Sequence, residues 1–111
     1  MTTDTRNRLL ETILDEIRKG DIYEATLTMK GWHLRGLCDP NTGRVYVDPA
    51  PVTVETLMHE ILHRRYPRWG ENRVDTTAKR LLASMSSDEV KHWYRLFRRV
   101  RKTTRKPVSY E

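Results

Sequence analysis

Two histidines and a glutamate lie close together in the segment His59-Glu60-Ile61-Leu62-His63, at a spacing that could bind and use a metal ion. On a helix, side chains at positions i and i+4 lie one above the other, so His59 and His63 can hold one ion between them. Imidazole nitrogens bind tetrahedral zinc at about 2.0–2.1 Å, and this ligand type favours zinc over other divalent ions. Glu60 lies to the side of the pair, where it can accept a proton from a water molecule on the metal.

The helix around this motif has a separate apolar face that predicts contact with a core. At 100° per residue the following side chains form one stripe: Val54, Leu57, Met58, Ile61 and Leu62. His59 and His63 lie more than about 90° from the middle of that stripe. The competing interpretation is a solvent-exposed helix face with two incidental histidines, which the five-residue pattern alone does not exclude.

A catalytic zinc site uses three protein ligands, so a third ligand is expected. Glu71 follows His63 by eight residues, beyond a turn at residues 67–70 that would fold the next helix back. Asp75 lies one helical turn after Glu71 and could accept a hydrogen bond from the far nitrogen of a ligating histidine. Two simpler interpretations stay open. The helix dipole favours an acidic residue such as Glu71 in a first helical turn, and Asp75 could pair with Lys79 and have no other role.

The order HExxH followed by ExxxD (Glu71-Asn72-Arg73-Val74-Asp75) resembles the gluzincin branch of the zincin metallopeptidases. In scale the chain is similar to the minigluzincins and related compact bacterial or phage proteins. The resemblance implies a zinc-dependent enzyme that hydrolyses peptide bonds in a peptide or protein substrate with zinc-activated water. It assigns His59, His63 and Glu71 as ligands of one Zn²⁺, Glu60 as the general base, and Asp75 as the residue that orients a histidine.

The resemblance also implies parts of a substrate site. In zincins an edge strand before the active-site helix holds the extended peptide, which predicts strand addition at Arg44, Val45, Tyr46 and Val47. Peptidases of this type add a histidine, tyrosine or arginine that stabilises the oxyanion. Tyr66, His92, Tyr94 and Arg95 are the candidates, and the sequence does not choose among them. The eight-residue gap between the motifs is much shorter than in large gluzincins and leaves little room for a large cleft.

Four helices are expected from periodicity and capping signals. The first runs from an N-cap at Asp4 to Gly20, with an apolar stripe formed by Leu9, Leu10, Ile13, Leu14 and Ile17. The second begins at an N-cap at Thr53 and ends near Arg65, and the third begins near Glu71. Ser86 and Glu89 form the capping box of the fourth.

Three short strands are expected before the second helix. Apolar side chains alternate at Tyr23, Ala25, Leu27 and Met29, which indicates a half-buried strand. A hairpin follows, with its turn at residues 39–43, and the sheet is expected to be antiparallel. The sequence therefore predicts one α+β, minimal zincin-like domain over residues 1–102, followed by a flexible basic tail at residues 103–111.

Charge is concentrated near the C-terminus. The chain of 111 residues has a net charge of +6, and residues 91–106 hold eight basic residues and no acidic ones. The alternative function is a catalytically weak or inactive zinc-binding scaffold or regulatory module whose basic C-terminal helix contacts nucleic acid or an acidic partner, although a solvated amphipathic helix with a basic tail also explains the charge. The single cysteine, Cys38, excludes an internal disulfide, and neither a membrane span nor a secretory signal is evident, so a cytoplasmic location is expected.

Overall fold

The computed structural model describes residues 1–30 and 32–108 as an α+β chain. The helices are α1 (Thr3–Lys19), α2 (Ala50–Arg65), α3 (Glu71–Ser84) and α4 (Ser87–Val100). The strands are β1 (Ile22–Glu24), β2 (Thr28–Met29), β3 (Trp32–His33), β4 (Gly36–Cys38) and β5 (Val45–Val47). The α+β class and the four helices are confirmed. Within the described residues, no helix combines the length and apolar character that a membrane span needs.

The main sheet has three strands in the order β1-β5-β4, and it is mixed. β5 runs antiparallel to β4 but parallel to β1, so the prediction of an antiparallel sheet is wrong. The chain leaves β1 through a separate antiparallel ribbon, β2-β3, before it enters β4. Because β1 and β5 are not joined by a hairpin, nothing forces them to run in opposite directions.

β5 lies in the middle of this sheet, which corrects the prediction that Arg44, Val45, Tyr46 and Val47 form an edge. The Val47 carbonyl accepts a hydrogen bond from the Ala25 N–H at 3.0 Å on one side. On the other side Asp48 donates its N–H to the Arg35 carbonyl, also at 3.0 Å. A strand whose backbone is bonded on both sides cannot add a peptide, and the edges of the sheet belong to β1 and β4.

The β4-β5 hairpin turns where its sequence predicts. Asp39 accepts hydrogen bonds from the backbone N–H groups of Asn41 and Gly43, with its carboxylate and its carbonyl respectively. The Asn41 N–H is the main cause that lowers the pKa of the Asp39 carboxyl. Gly43 has a φ of +75°, a conformation that favours glycine and that closes the turn into β5.

The N-cap of α2 is Pro49, four residues before the predicted cap at Thr53. Asp48, which is 6% exposed, accepts the Ala50 N–H with one carboxylate oxygen and the Leu27 N–H with the other, both at 3.0 Å. Pro51 suits this first turn because its ring fixes φ near the helical value. The N-cap of α1 likewise differs from the prediction and is Thr2, whereas the end of that helix at Gly20 is confirmed.

The core lies between α2, α3 and α4, and α2 packs against both of the others. Its buried apolar side chains come from these helices and from the C-cap residue that follows α3: Ala50, Val54, Met58, Ala78, Leu82, Met85 and Val90. In residues 3–19, all of which the structure describes, no side chain is buried. The alternating stretch at residues 23–29 is divided between β1 and β2, whose side chains are exposed, and only Ala25 and Leu27 between them are half-buried.

Candidate metal centre

The turn between α2 and α3 sets the position of Glu71. The rings of Tyr66 and Trp69 stack with centroids 4.4 Å apart and planes 10° from parallel. The Arg73 guanidinium lies 3.9 Å from the Trp69 centroid, so an α3 side chain is held against the same stack. Gly70 is the N-cap residue of α3, and Glu71 therefore occupies the first helical position, directed back towards α2.

Three side chains converge at this point, two from α2 and one from α3. The Nε2 atoms of His59 and His63 are 3.2 Å apart. The two carboxylate oxygens of Glu71 each lie 2.8 Å from one of these nitrogens, Oε1 from His59 and Oε2 from His63. All three residues offer ligand atoms within 4.8 Å of one another, so the predicted ligand set is brought together.

The distances suit a tetrahedral zinc ion. Ligand atoms at about 2.0–2.1 Å from a tetrahedral metal are about 3.3 Å from one another, close to the observed distance between the two Nε2 atoms. The carboxylate contacts are shorter by about half an ångström, which a small rotation of Glu71 would relieve. Its side chain is 68% exposed, whereas those of His59 and His63 are 19% and 33% exposed. The cluster is therefore open on the Glu71 side, where a fourth ligand could enter.

Asp75 lies near both of the partners predicted from the sequence, His59 and Lys79. Its Oδ1 lies 3.7 Å from Nδ1 of His59, just beyond hydrogen-bond distance. Its Oδ2 accepts a hydrogen bond from Nζ of Lys79 at 2.9 Å, and this bond is the main cause that lowers the pKa of Asp75. One carboxylate thus bridges the far side of the His59 ring and a lysine, so the Lys79 pairing and the approach to the histidine occur together.

Glu60 lies beside the metal-binding group without contributing a ligand atom to it. Its side chain is exposed on α2. Among residues 1–30 and 32–108, no side chain forms a hydrogen bond or an ion pair with it. A carboxylate in this position is able to rotate towards a molecule that enters from solvent, as a general base requires.

The structure does not join any oxyanion candidate to the cluster by a hydrogen bond. Tyr66 is stacked on Trp69 in the turn after His63. The Tyr94 hydroxyl accepts a hydrogen bond from Arg98 at 3.3 Å, and its ring packs against the core. His92 is exposed on α4, which packs on α2 and β3 rather than at the α2-α3 contact that forms the cluster. Arg95 is likewise exposed on α4, and Tyr66 is the closest of the four to the histidines along the chain.

One element of the site was missed from the sequence. Glu55 precedes His59 by one helical turn, so it shares the histidine face of α2, and its Oε2 binds Nη2 of Arg35 at 2.9 Å. This ion pair fixes the start of β4 beside that face. The i–4 spacing of Glu55 from His59 is visible in the sequence, but nothing local identifies Arg35, twenty residues earlier, as its partner.

Comparison of the chain with protein-family models, with curated proteins and with solved structures finds no match.

Proposed function

We propose that this protein is a zinc-dependent peptidase in which His59, His63 and Glu71 bind one zinc ion and Glu60 is the general base. The observation that carries the proposal is the convergence of two Nε2 atoms, 3.2 Å apart, on one carboxylate at 2.8 Å from each. Two imidazoles and a carboxylate that leave one side open to solvent are the ligand set of a catalytic zinc site. A structural site would close the fourth position with a protein ligand.

The chemistry of hydrolysis divides between the metal and Glu60. A zinc ion bound by the cluster would polarise the substrate carbonyl and lower the pKa of a water molecule to about 7. Glu60 takes the proton of the attacking water and then delivers it to the nitrogen of the leaving amine. Its exposed position, one residue after His59 and 100° around the helix, allows the carboxylate to face the open side of the cluster. Binding of the ion would use the neutral form of each imidazole, because a metal displaces the proton of its ligand.

The substrate strand would add to β4 rather than to β5. In β4, residues 35, 37 and 39 direct their backbone groups to β5, as the bonds at Arg35 and Asp39 indicate. The N–H and C=O groups of Gly36 and Cys38 therefore point away from the sheet. The Arg35–Glu55 ion pair connects the residue before this strand to α2, one helical turn before His59. An extended peptide bonded to Gly36 and Cys38 would lie along the histidine face of α2.

A cavity of about 290 Å³ lies beside the same ion pair. Its lining includes Arg35 and Glu55 from the strand side and from α2, together with Lys79 and Leu82 from α3. Since Lys79 also binds Asp75 of the candidate metal centre, the cavity is next to the cluster. It would receive one side chain of a peptide held on β4. The mixture of charged walls and a leucine favours a side chain with an apolar stem and a polar end.

The test compares zinc content and cleavage for the wild type and Glu60→Gln, with Glu11→Gln as the matched control on the exposed surface of α1. We expect one zinc ion per chain in all three proteins. Cleavage of a broad peptide library should fall by at least about 100-fold in Glu60→Gln and stay unchanged in the control. Peptide products are separated and identified by mass spectrometry.

Two outcomes would reject the proposal at different steps. Zinc bound by the wild type without cleavage of any peptide would favour a zinc-binding scaffold over an enzyme. If the wild type binds no zinc, and Glu71→Ala has no effect on the uptake of metal, the ligand assignment itself is wrong.

A further inference from the structure

α1 has an apolar face that no other part of the described chain buries. Its seventeen residues, Thr3–Lys19, include no buried side chain. The five members of its apolar stripe are 44–54% exposed: Leu9, Leu10, Ile13, Leu14 and Ile17. The radius of gyration is 17.5 Å, whereas a compact chain of this length has about 13 Å. α1 does not pack extensively on any other described helix or strand, so its hydrophobic surface lies in water.

A second uncovered apolar surface lies on the helical body. Side chains of α2 and α4, with Leu81 of α3, line a groove. Its exposed members are Ile61, Leu81, Trp93 and Leu96 at 42–43% and Val100 at 64%. Side chains of Leu57, Met58, Leu62 and Phe97 complete the lining. Three packed helices with such a groove lack the fourth helix that would close a bundle.

The two surfaces match in size. At these exposed fractions the stripe of α1 presents roughly 450 Å² of apolar area, and the groove presents about the same. α1 is about 25 Å long, and α4, which lines the groove, is about 21 Å long. Two reciprocal contacts of a helix in a groove would bury about 1,800 Å², within the range of about 1,200–2,000 Å² for stable protein–protein interfaces.

α1 joins the sheet at the end opposite to the one from which the chain enters α2. Gly20 and Asp21, the two linking residues, have φ values of +80° and +62°. Asp21 is held to the start of β5 by a backbone bond from the Val45 N–H at 3.2 Å and by an ion pair with Arg44 at 3.6 Å. The start of β5 is at the end of the sheet opposite to the one from which the chain enters α2. α1 thus leaves the sheet at the end away from the start of α2.

We propose that the protein forms a symmetric homodimer in which α1 of each chain lies in the α2-α3-α4 groove of the other. The two reciprocal contacts cover the α1 stripe and the groove of both chains. Because the two-fold symmetry is closed, neither surface is left free to bind a further copy. On α2, Leu57 and Ile61 face the groove, whereas His59 and His63 lie on the other side of the helix. The dimer therefore leaves the candidate metal centre open.

The first test measures the mass of the intact chain by sedimentation equilibrium between about 1 and 100 µM. We expect twice the chain mass of 13.2 kDa. Ile13→Asp places a charge in the stripe of α1 and should weaken dimerisation by at least about 100-fold. Thr12→Asp adds the same charge on the opposite face of α1 and should leave the mass unchanged. Because α1 contributes no buried side chain, both variants keep the fold, which circular dichroism verifies.

The second test identifies the two surfaces in contact. Leu96→Asp, in the groove, should also give a monomer. In a mixture of Ile13→Asp and Leu96→Asp one intact helix–groove contact can re-form between the two variants, so the mean mass should rise above that of either alone. A wild type that stays monomeric at 100 µM overturns the proposal, and a Leu96→Asp protein that stays dimeric shows that α1 pairs with α1 instead. Neither result depends on zinc.

Discussion

Replacing Asp75 by asparagine separates the two roles that its position allows. The carboxylate lies 3.7 Å from Nδ1 of His59 and 2.9 Å from Nζ of Lys79. If Asp75 supports the metal ligand, Asp75→Asn should weaken zinc binding, because the amide has no charge and is a poorer acceptor for the imidazole N–H. If Asp75 only pairs with Lys79, zinc binding should not change.

The distance of Asp75 from the metal position and its exposure determine how large the loss of zinc affinity should be. Loss of a carboxylate that supports a ligating histidine costs 10–100-fold in metal affinity. An ion on Nε2 of His59 would be about 7 Å from the Asp75 carboxylate, since the imidazole ring lies between them. The side chain of Asp75 is 45% exposed and its contact with Nδ1 is longer than a hydrogen bond, so the lower limit applies. We expect about a tenfold loss at an ionic strength of 0.1 M and a smaller loss at 1 M, where the Debye length falls to about 3 Å.

The assay is competition between the protein and a chromophoric zinc chelator at pH 7.5. Lys79→Met is the matched variant, because it removes the partner that draws the Asp75 carboxylate away from His59. It should leave zinc affinity unchanged or increase it slightly, through loss of a nearby positive charge. Equal zinc affinities for Asp75→Asn and the wild type at low salt would refute the support role, and a loss in Lys79→Met would show that the pair acts as a unit.

Two further predictions concern the fold. Val54 is fully buried, so Val54→Ala should lower the free energy of unfolding by about 2 kcal/mol. Val52→Ala, on the same helix at a position that is 46% exposed, should change that free energy little. Urea unfolding measures both variants, and equal losses would contradict the assignment of Val54 to the core. The pKa of Asp39 is held below its ordinary value of 3.8, so its contribution to stability is complete above that value and is lost as the pH falls through the lowered one. Asp39→Asn should therefore lose less thermal stability than the wild type between pH 5 and 2.5, and parallel losses would show that the turn does not depend on the carboxylate.

The parts of the structure that sequence predicts depend on neighbours along the chain. Helix periodicity separates His59 and His63 from the core stripe, and a short turn restricts where Glu71 can lie. The end of α1 at Gly20 and the capping box at Ser86 and Glu89 are equally local, and both occur as predicted. In each case the interacting groups are within a few residues, so the backbone conformation of one element determines the contact.

The incorrect predictions concern contacts between segments that are far apart in the sequence. β5 pairs with β1 as well as with β4, and the parallel pairing joins residues more than twenty positions apart. The start of α2 depends on Asp48, whose carboxylate also binds the Leu27 N–H across the fold. The periodicity of α1 shows that one face needs cover but not what covers it. Contact of the basic segment at residues 91–106 with nucleic acid or an acidic partner stays a prediction.

α2 carries the candidate metal centre on one face and part of the proposed dimer contact on the opposite face. Its histidines face Glu71 on α3, whereas Leu57 and Ile61 face the groove. A ligand alters a second equilibrium only if it binds one of its two states more tightly than the other. No residue of the groove is a ligand in the cluster, and neither histidine lines the groove. Zinc should therefore leave the dimer dissociation constant unchanged. A zinc-dependent mass in the wild type would mean that α2 shifts when the metal binds.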